Sequence, residues 1–293
     1  MWGAVAPVEA SRQRKKTNVT ASRRVTVAIA QMASGPDKQQ NIQRAVDLVK
    51  KATENGATLV ALPETFDYRG DTSTLSSIAE PLPGTALEPL MGLAAQREVW
   101  ILAGSVHEQD AGASMPYNTS VLIDPRGRIA AAYRKIHLFD MTIGDRSVAE
   151  SSHYTAGTDV VCSEASGMKV GLTICYDIRF PELYRRLADF GAELVFIPSS
   201  FTAPTGEAHW EILVRARAIE NQCFIVAPGQ TGMGAGGIAT YGNSMIVDPW
   251  GRVLARAPQE EEHIISAELD LHELADVRKR LPALHNRRIP AFR

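Results

Sequence analysis

The sequence predicts an α/β fold in which two mixed β-sheets pack face to face, with helices on their outer sides. Three observations support this. A strand–helix–strand run opens at Val25, a second begins at Val170, and each half carries a hairpin on the same turn, Asp124-Pro-Arg-Gly-Arg128 and Asp248-Pro-Trp-Gly-Arg252. A helix is the usual crossover between parallel strands, while a tight turn joins antiparallel ones, so each sheet is mixed. Sheets and helices with one apolar face bury it in layers, which gives sheet on sheet with helices outside.

The elements follow in order. Val25, Val27 and Ile29 alternate with smaller residues as a first strand. Asp37 with Gln40 resembles a capping box, after which Ile42, Ala45, Val46, Val49 and Ala52 form one helix face that ends at Gly56. The apolar run Thr58–Pro63 reads as a buried strand leading to Glu64, 87–96 as a helix and Trp100–Val106 as one strand. The hairpin around Pro125-Arg-Gly127 leads to Lys135. In the second half, Val170–Ile174 is a strand that turns into a helix at Cys175. Leu183, Leu187 and Phe190 share a helix face with Pro181 in its first turn. A strand at 193–199, a helix at 209–221, a strand at 223–227 and a flexible loop at 232–237 complete the pattern.

A chain of 293 residues with 45% apolar and 22% charged residues can bury a large core as one domain, over residues 25–293. The formal net charge of −2 gives no reason to expect nucleic acid as a partner. No run approaches the ~20 apolar residues of a membrane span, and no secretory signal is legible, so a cytoplasmic location is expected. Cys162, Cys175 and Cys223 form neither a paired framework nor a metal-ligand spacing, which points to free thiols and no metal. Residues 1–24 carry six Lys and Arg against Glu9 and read as a disordered tail, an organelle-targeting leader being the alternative. Asn18-Val-Thr and Asn118-Thr-Ser match a glycosylation sequon that, without a secretory signal, reads as chance.

Three polar residues end apolar runs: Glu64, Lys135 and Cys175. In open α/β sheets ligands bind beyond the carboxyl ends of strands, so a base, a cation and a thiol would meet in one crevice. Cys175 lies at a strand-to-helix junction, where the N–H of Tyr176 and its neighbours would serve as oxyanion donors; a buried inert thiol is the alternative. Glu64 against apolar walls would have a raised pKa suited to a general base, or would be a cap or surface ion pair. Lys135 would pair with buried carboxylates or stabilise an oxyanion, or else snorkel from a sheet edge. His137 offers a Cys-His dyad as a minor reading. His209 reads as a packing residue, and Arg215, Arg217 and Glu220 read as an ion network.

Leu62-Pro-Glu-Thr-Phe66, Tyr133-Arg-Lys-Ile-His-Leu-Phe-Asp140 and Gly171-Leu-Thr-Ile-Cys-Tyr-Asp-Ile-Arg-Phe-Pro-Glu-Leu183 resemble the three motifs of the nitrilase superfamily of carbon–nitrogen hydrolases, over about Val25 to Arg288. The likeness implies an αββα sandwich, a general base at Glu64, an intermediate-stabilising Lys135, a nucleophilic Cys175 and a second glutamate at Glu150. Candidate substrate-binding residues are Tyr176, Arg179, Phe66 and Phe201. Arg179 is proposed for a substrate carboxylate because a guanidinium matches that group with two parallel hydrogen bonds.

Ala208-His-Trp-Glu211, Arg215–Glu220 and Arg280-Leu-Pro282 are most similar to the Nit branch, which contains deaminated glutathione amidase and ω-amidase. The resemblance implies cleavage of a primary amide of a small carboxylated substrate to acid and ammonia through a cysteine thioester. It also implies no cofactor, and a homodimer or higher homo-oligomer. Nitrile hydrolysis, N-carbamoyl amine hydrolysis and a non-enzymatic scaffold are the competing readings.

Overall fold

A computed structural model describes residues 24–143, 146–234 and 237–289. The first half runs β1 (Arg24–Gln31), α1 (Lys38–Glu54), β2 (Leu59–Ala61), α2 (Leu75–Ile78), α3 (Gly84–Arg97), β3 (Trp100–Leu102), β4 (Val106–Glu108), β5 (Tyr117–Ile123), β6 (Ile129–Arg134), β7 (Asp140–Ile143) and β8 (Arg146–Ala149). The second half runs β9 (Cys162–Ala165), β10 (Met168–Leu172), α4 (Pro181–Asp189), β11 (Leu194–Phe196), α5 (Ala203–Asn221), β12 (Phe224–Ala227), β13 (Met245–Val247), β14 (Val253–Arg256), β15 (His263–Asp270) and α6 (Leu271–Arg280).

One sheet follows the order β15-β1-β2-β3-β5-β4 with β6 on β5, the other the order β14-β13-β12-β11-β10-β9, and β7 and β8 form a separate ribbon. β1–β2–β3 and β10–β11–β12 are parallel and the outer pairings are antiparallel, the expected mixture. Strand alternation sorts the core. Val25, Val27 and Ile29 enter the large cluster shared with Val170, Leu172 and Phe196 of the other sheet. Ala28 and Ala30 join Ala45, Val49, Leu87 and Leu90 of α1 and α3 on the opposite face. Leu187 of α4 and Val214 of α5 cover the second sheet. The result is the αββα sandwich.

The last strand, β15, returns to pair with β1 over its full length, so the chain closes on its own first sheet. Arg24, placed at the end of the tail by sequence, belongs to this ladder opposite Asp270. Residues 1–23, including Asn18, lie outside the described residues.

Local chemistry accounts for the starts and stops. Asp37 caps α1 by accepting from Gln40 N at 3.0 Å. Several elements differ from expectation. The strand expected over Trp100–Val106 is two, because Gly104 at φ 49 turns the backbone, and a Cβ there would overlap the Pro63 carbonyl. That close approach seats the loop bearing Glu64 on residues 103–105. α5 begins at Ala203, six residues early, with Pro in its first turn. Phe190 lies at the C-cap of α4 and is exposed, whereas Leu183, Tyr184 and Leu187 are the buried face. Of the 232–237 loop, residues 232–234 and 237 are described, with Gly232 near Ala33 and Gly234 near Arg69.

Candidate active site

β3 runs parallel to β2, β5 antiparallel to β3, and β6 antiparallel to β5. β2 and β6 therefore point the same way, and Glu64 and Lys135 emerge at one end of the sheet. Lys135 Nζ lies 2.8 Å from Glu64 Oε1 and 2.8 Å from Glu150 Oε2. Glu150, just past β8, accepts the Phe139 N–H at 2.6 Å, which latches the β7–β8 ribbon to the ammonium. The expectation of apolar walls around Glu64 is corrected: Asn118 Nδ2 donates to its Oε1 at 2.9 Å and Gln230 Nε2 donates to its backbone carbonyl. Lys135 is 2% exposed and Glu64 3%, so two carboxylates share one ammonium in a dry site. Burial works against the Lys135 charge, but Glu150 and Glu64 outweigh it and hold the ammonium well above the usual lysine range.

Cys175 comes from the other sheet, three residues beyond β10. Its backbone sits at φ 46, left-handed for a non-glycine residue, and its N–H donates to the Pro198 carbonyl at 2.9 Å. Residues 175–179 form one 3₁₀ turn, not the start of an α-helix, and α4 begins only at Pro181. Glu64, Lys135 and the Ser200 N–H all act electrostatically on the Cys175 thiol, so the structure brings thiol, carboxylate and ammonium into one site. Burial pushes the Cys175 thiol well up and Glu64 adds to it, against the pull of Lys135 and Ser200 N–H.

Asp177 connects the halves. Buried completely, it accepts from Tyr133 Oη at 2.7 Å, Ile174 N at 2.8 Å and His137 N at 3.1 Å. His137 Nδ1 lies 2.7 Å from Asp177 Oδ1 and its ring stacks on Phe180, so the dyad with Cys175 is replaced by a structural clamp.

Phe66 is also relocated. It is fully buried in the cluster under α1 and α3, so it anchors the Glu64 loop and presents no ring to a substrate. Tyr176 is half-buried, edge-on to Phe139 and Phe180. Arg179 lies over Tyr176 and Phe201, 5.3 Å from the latter's ring centre, and meets His209 Nδ1 at 3.3 Å. Phe201 packs on Trp210 beside it.

Arg217 and Glu220 pair at 2.6 Å and Arg215 with Glu211 at 3.2 Å, the expected ion network. Two residues of the site went unread in the sequence. Asn118 carried only a sequon signal, yet it is buried and bonded to Glu64. Arg69 bonds Gln230 Oε1 at 3.3 Å and the Thr231 carbonyl at 3.4 Å, with Glu64 and Cys175 in its electrostatic reach. Among the described residues no group of three or more His, Cys, Asp and Glu is placed to hold a metal ion. No helix there is long and apolar enough to cross a membrane.

A buried thiol, carboxylate and ammonium at the strand ends of an αββα sandwich make a site able to attack a carbonyl carbon. The carbon–nitrogen hydrolase family profile matches residues 26–279, and the chain belongs to that family. Its relatives include the Mus musculus deaminated glutathione amidase, 42% identical over 284 residues, 94% of this chain and 87% of the relative. Saccharomyces cerevisiae Nit3, a member of branch 10 of the nitrilase superfamily, superposes with a TM-score of 0.83 at 32% identity, covering 91% of this chain and 97% of Nit3. A mutant amidase from Nesterenkonia sp. AN1, with the acetamide moiety of fluoroacetamide covalently added at its active-site cysteine, superposes at 0.77 with 26% identity, covering 92% and 95%. The chain is a carbon–nitrogen hydrolase that acts on amides.

Proposed function

We propose that the chain hydrolyses an amide of a small carboxylated molecule, of the deaminated glutathione type, through a thioester on Cys175. The convergence of the Cys175 thiol, the Glu64 carboxylate and the Lys135 ammonium in one buried site carries this reading. Cys175 Sγ attacks the amide carbonyl carbon while Glu64 takes the thiol proton, so no preformed thiolate is needed. The carbonyl electrons move to oxygen, which rests on the Lys135 ammonium and the Tyr176 N–H. The C–N bond then breaks, the leaving nitrogen takes the proton from Glu64, and the acyl group stays on sulfur.

Glu64 next deprotonates a water that attacks the thioester. The carboxylic acid leaves and the proton returns to Cys175. Glu150 and Asn118 hold Lys135 and Glu64 in register throughout. Ammonia leaves from a primary amide; deaminated glutathione, being tripeptide-derived, contains secondary amides, so its leaving group is an amine. The adduct reported for the Nesterenkonia amidase supports a covalent cysteine route. Arg179, on the same turn as Cys175 and without a carboxylate partner among the described residues, supports a substrate carboxylate at the mouth.

The test is mass spectrometry on Cys175→Ala with deaminated glutathione and a simple primary amide, beside wild type and Glu64→Gln. Wild type is expected to turn over with a transient acyl mass on Cys175, while Glu64→Gln, which lacks the base of both steps, and Cys175→Ala are expected to show neither turnover nor adduct. Hydrolysis by Cys175→Ala at the wild-type rate would overturn the mechanism.

A homodimer is part of the same reading. Ile212 and Ile219 lie seven apart on α5 and are 69% and 48% exposed, and Gly251, the residue after the 53% exposed Trp250, lies against Ile219. An apolar stripe of this kind fits a second copy of the chain. Ile219→Glu is expected to give a monomer in analytical ultracentrifugation, and an unchanged mass would remove the stripe from the interface.

A further inference from the structure

We infer that Arg69 is a second carboxylate-binding residue in addition to Arg179, and that the pair selects amides carrying two carboxylates. This rests on the amide-hydrolase reading above and deepens it by naming the charge class of the substrate.

Arg69 reaches the site from the Glu64 loop and Arg179 from the Cys175 turn, one guanidinium from each sheet's catalytic segment. Arg69 is anchored by two neutral acceptors, Gln230 Oε1 and the Thr231 carbonyl, and Gln230 in turn donates to the Glu64 carbonyl at 2.9 Å. Arg179 sits over Phe201, the residue after Ser200, whose N–H acts electrostatically on the Cys175 thiol. Neither guanidinium makes an ion pair with a carboxylate among the described residues, whereas Arg134, Arg217 and Arg252 all do. A part-buried guanidinium without an anion is an uncompensated charge. Burial accordingly pulls the Arg69 pKa down to about 10, against the raising fields of Glu64 and Cys175.

The cradle is built for the side chain. A Cβ at Gly234 would overlap Arg69 Nη2, so glycine at that position leaves the guanidinium its space. Lys135 does not supply this anion site, because Glu64 and Glu150 already occupy it. A molecule of the deaminated glutathione type fits, since it carries a carboxylate at each end with its amides between them. Two planar forks can each take one carboxylate by parallel hydrogen bonds while the amide lies at Cys175.

The experiment compares kcat/KM for deaminated glutathione with that for a neutral amide of similar length, in wild type, Arg69→Gln, Arg69→Lys and Gly234→Ala. The ratio of dianionic to neutral substrate is expected to fall about 10- to 100-fold in Arg69→Gln, the size of one charge-assisted pair. Arg69→Lys restores part of it, and Gly234→Ala, which displaces the side chain without removing it, lowers it in the same direction. A ratio unchanged from wild type in Arg69→Gln would overturn the assignment, because a merely structural role damages both substrates alike.

Calorimetric binding of deaminated glutathione to the inactive Cys175→Ala protein, with and without Arg69→Gln, decides independently of turnover. Loss of Arg69 is expected to weaken binding by a similar factor, with a shallower salt dependence. Equal binding by both proteins would overturn the inference even where wild type turns over. If wild type hydrolysed no amide, the mechanism would fall while this binding result still judged Arg69.

Discussion

The hairpins β5–β6 and β13–β14 share one turn but lead to different ends. Asp124 Oδ1 accepts the N–H groups of Arg126 and Arg128, both at 2.9 Å, and its Oδ2 accepts Arg128 Nε. Asp248 repeats this with Trp250 N at 2.9 Å, Arg252 N at 2.8 Å and Arg252 Nε at 2.6 Å. Gly127 and Gly251 both have positive φ, and both ladders slip register just before the aspartate. Each glycine also abuts an outer helix of its own half, Gly127 the Met91 carbonyl of α3 and Gly251 Ile219 of α5.

The difference lies at the open ends. Six residues before the aspartate the first half has Asn118 and the second Gly242; eleven after it the first has Lys135 and the second Gln259. Lys135 N donates to the Asn118 carbonyl, and Gly242 likewise lies against the Gln259 carbonyl. A shared local frame thus delivers an ammonium and an amide to Glu64 in one half and nothing ionisable in the other. Turn chemistry builds the frame, and two side chains at its far end make it a site.

Exchanging those side chains is the largest break in the comparison. Lys135→Gln, which installs the residue of the second hairpin, removes the oxyanion's cation and leaves Glu64 and Glu150 buried without it. A kcat loss of at least about 10²-fold is expected from the oxyanion contribution, with destabilisation of ~3–5 kcal/mol from the orphaned carboxylates. Gln259→Lys lies on an exposed position and is expected to change kcat less than about 2-fold, within the usual tolerance of surface sites. Steady-state assays with thermal melts on both proteins check this, and comparable losses in the two would mean that the frames are not functionally distinct.

Smaller effects follow from the turns themselves. Asp124→Ala and Asp248→Ala each strand two N–H donors and are expected to cost about 1–3 kcal/mol apiece. The arginine partners are 64% and 60% exposed, so the ion pairs themselves add little. Denaturant melts should place the two variants close together, while kcat falls only for Asp124→Ala, whose strand carries Lys135. Equal kcat in both would show that the lysine is held by Glu64 and Glu150 alone.

The same contrast explains what the sequence could and could not reveal. Repetition of Asp-Pro-x-Gly-Arg exposed both hairpins, and apolar runs ending in Glu64, Lys135 and Cys175 exposed the site, because strand burial and strand ends leave periodic marks. Asn118 left none: inside β5 it is one polar residue in an alternating strand, and only the pairing of β5 with β6 puts it beside Lys135. Arg69 depends on Gln230, 161 residues away, a contact no local pattern encodes. Phe66 misled because sequence proximity to Glu64 does not fix which face of the sheet its ring enters. The split of the 100–106 strand was hidden because Gly104 answers to a backbone approach from residues 62 and 63.

The smallest expected effect sets Cys175 against Cys223, two buried thiols with opposite uses. Burial pushes the Cys223 thiol up to about 12, with Arg278 pulling back and Glu220 adding to the rise. An unfolded chain ionises such a thiol near 9.0, so between those values the native state holds more protons than the unfolded one. Stability therefore falls as pH rises through that window, by up to about 1.4 kcal/mol per unit from this group. Tyr133, Tyr154 and Tyr184, all raised by burial, act in the same direction and leave a residual slope. Cys223→Ala is expected to flatten the alkaline part of a urea-denaturation profile by that amount while leaving kcat near wild type, since no site group touches it. A profile parallel to wild type above pH 9 would show that Cys223 opens to solvent before the protein unfolds.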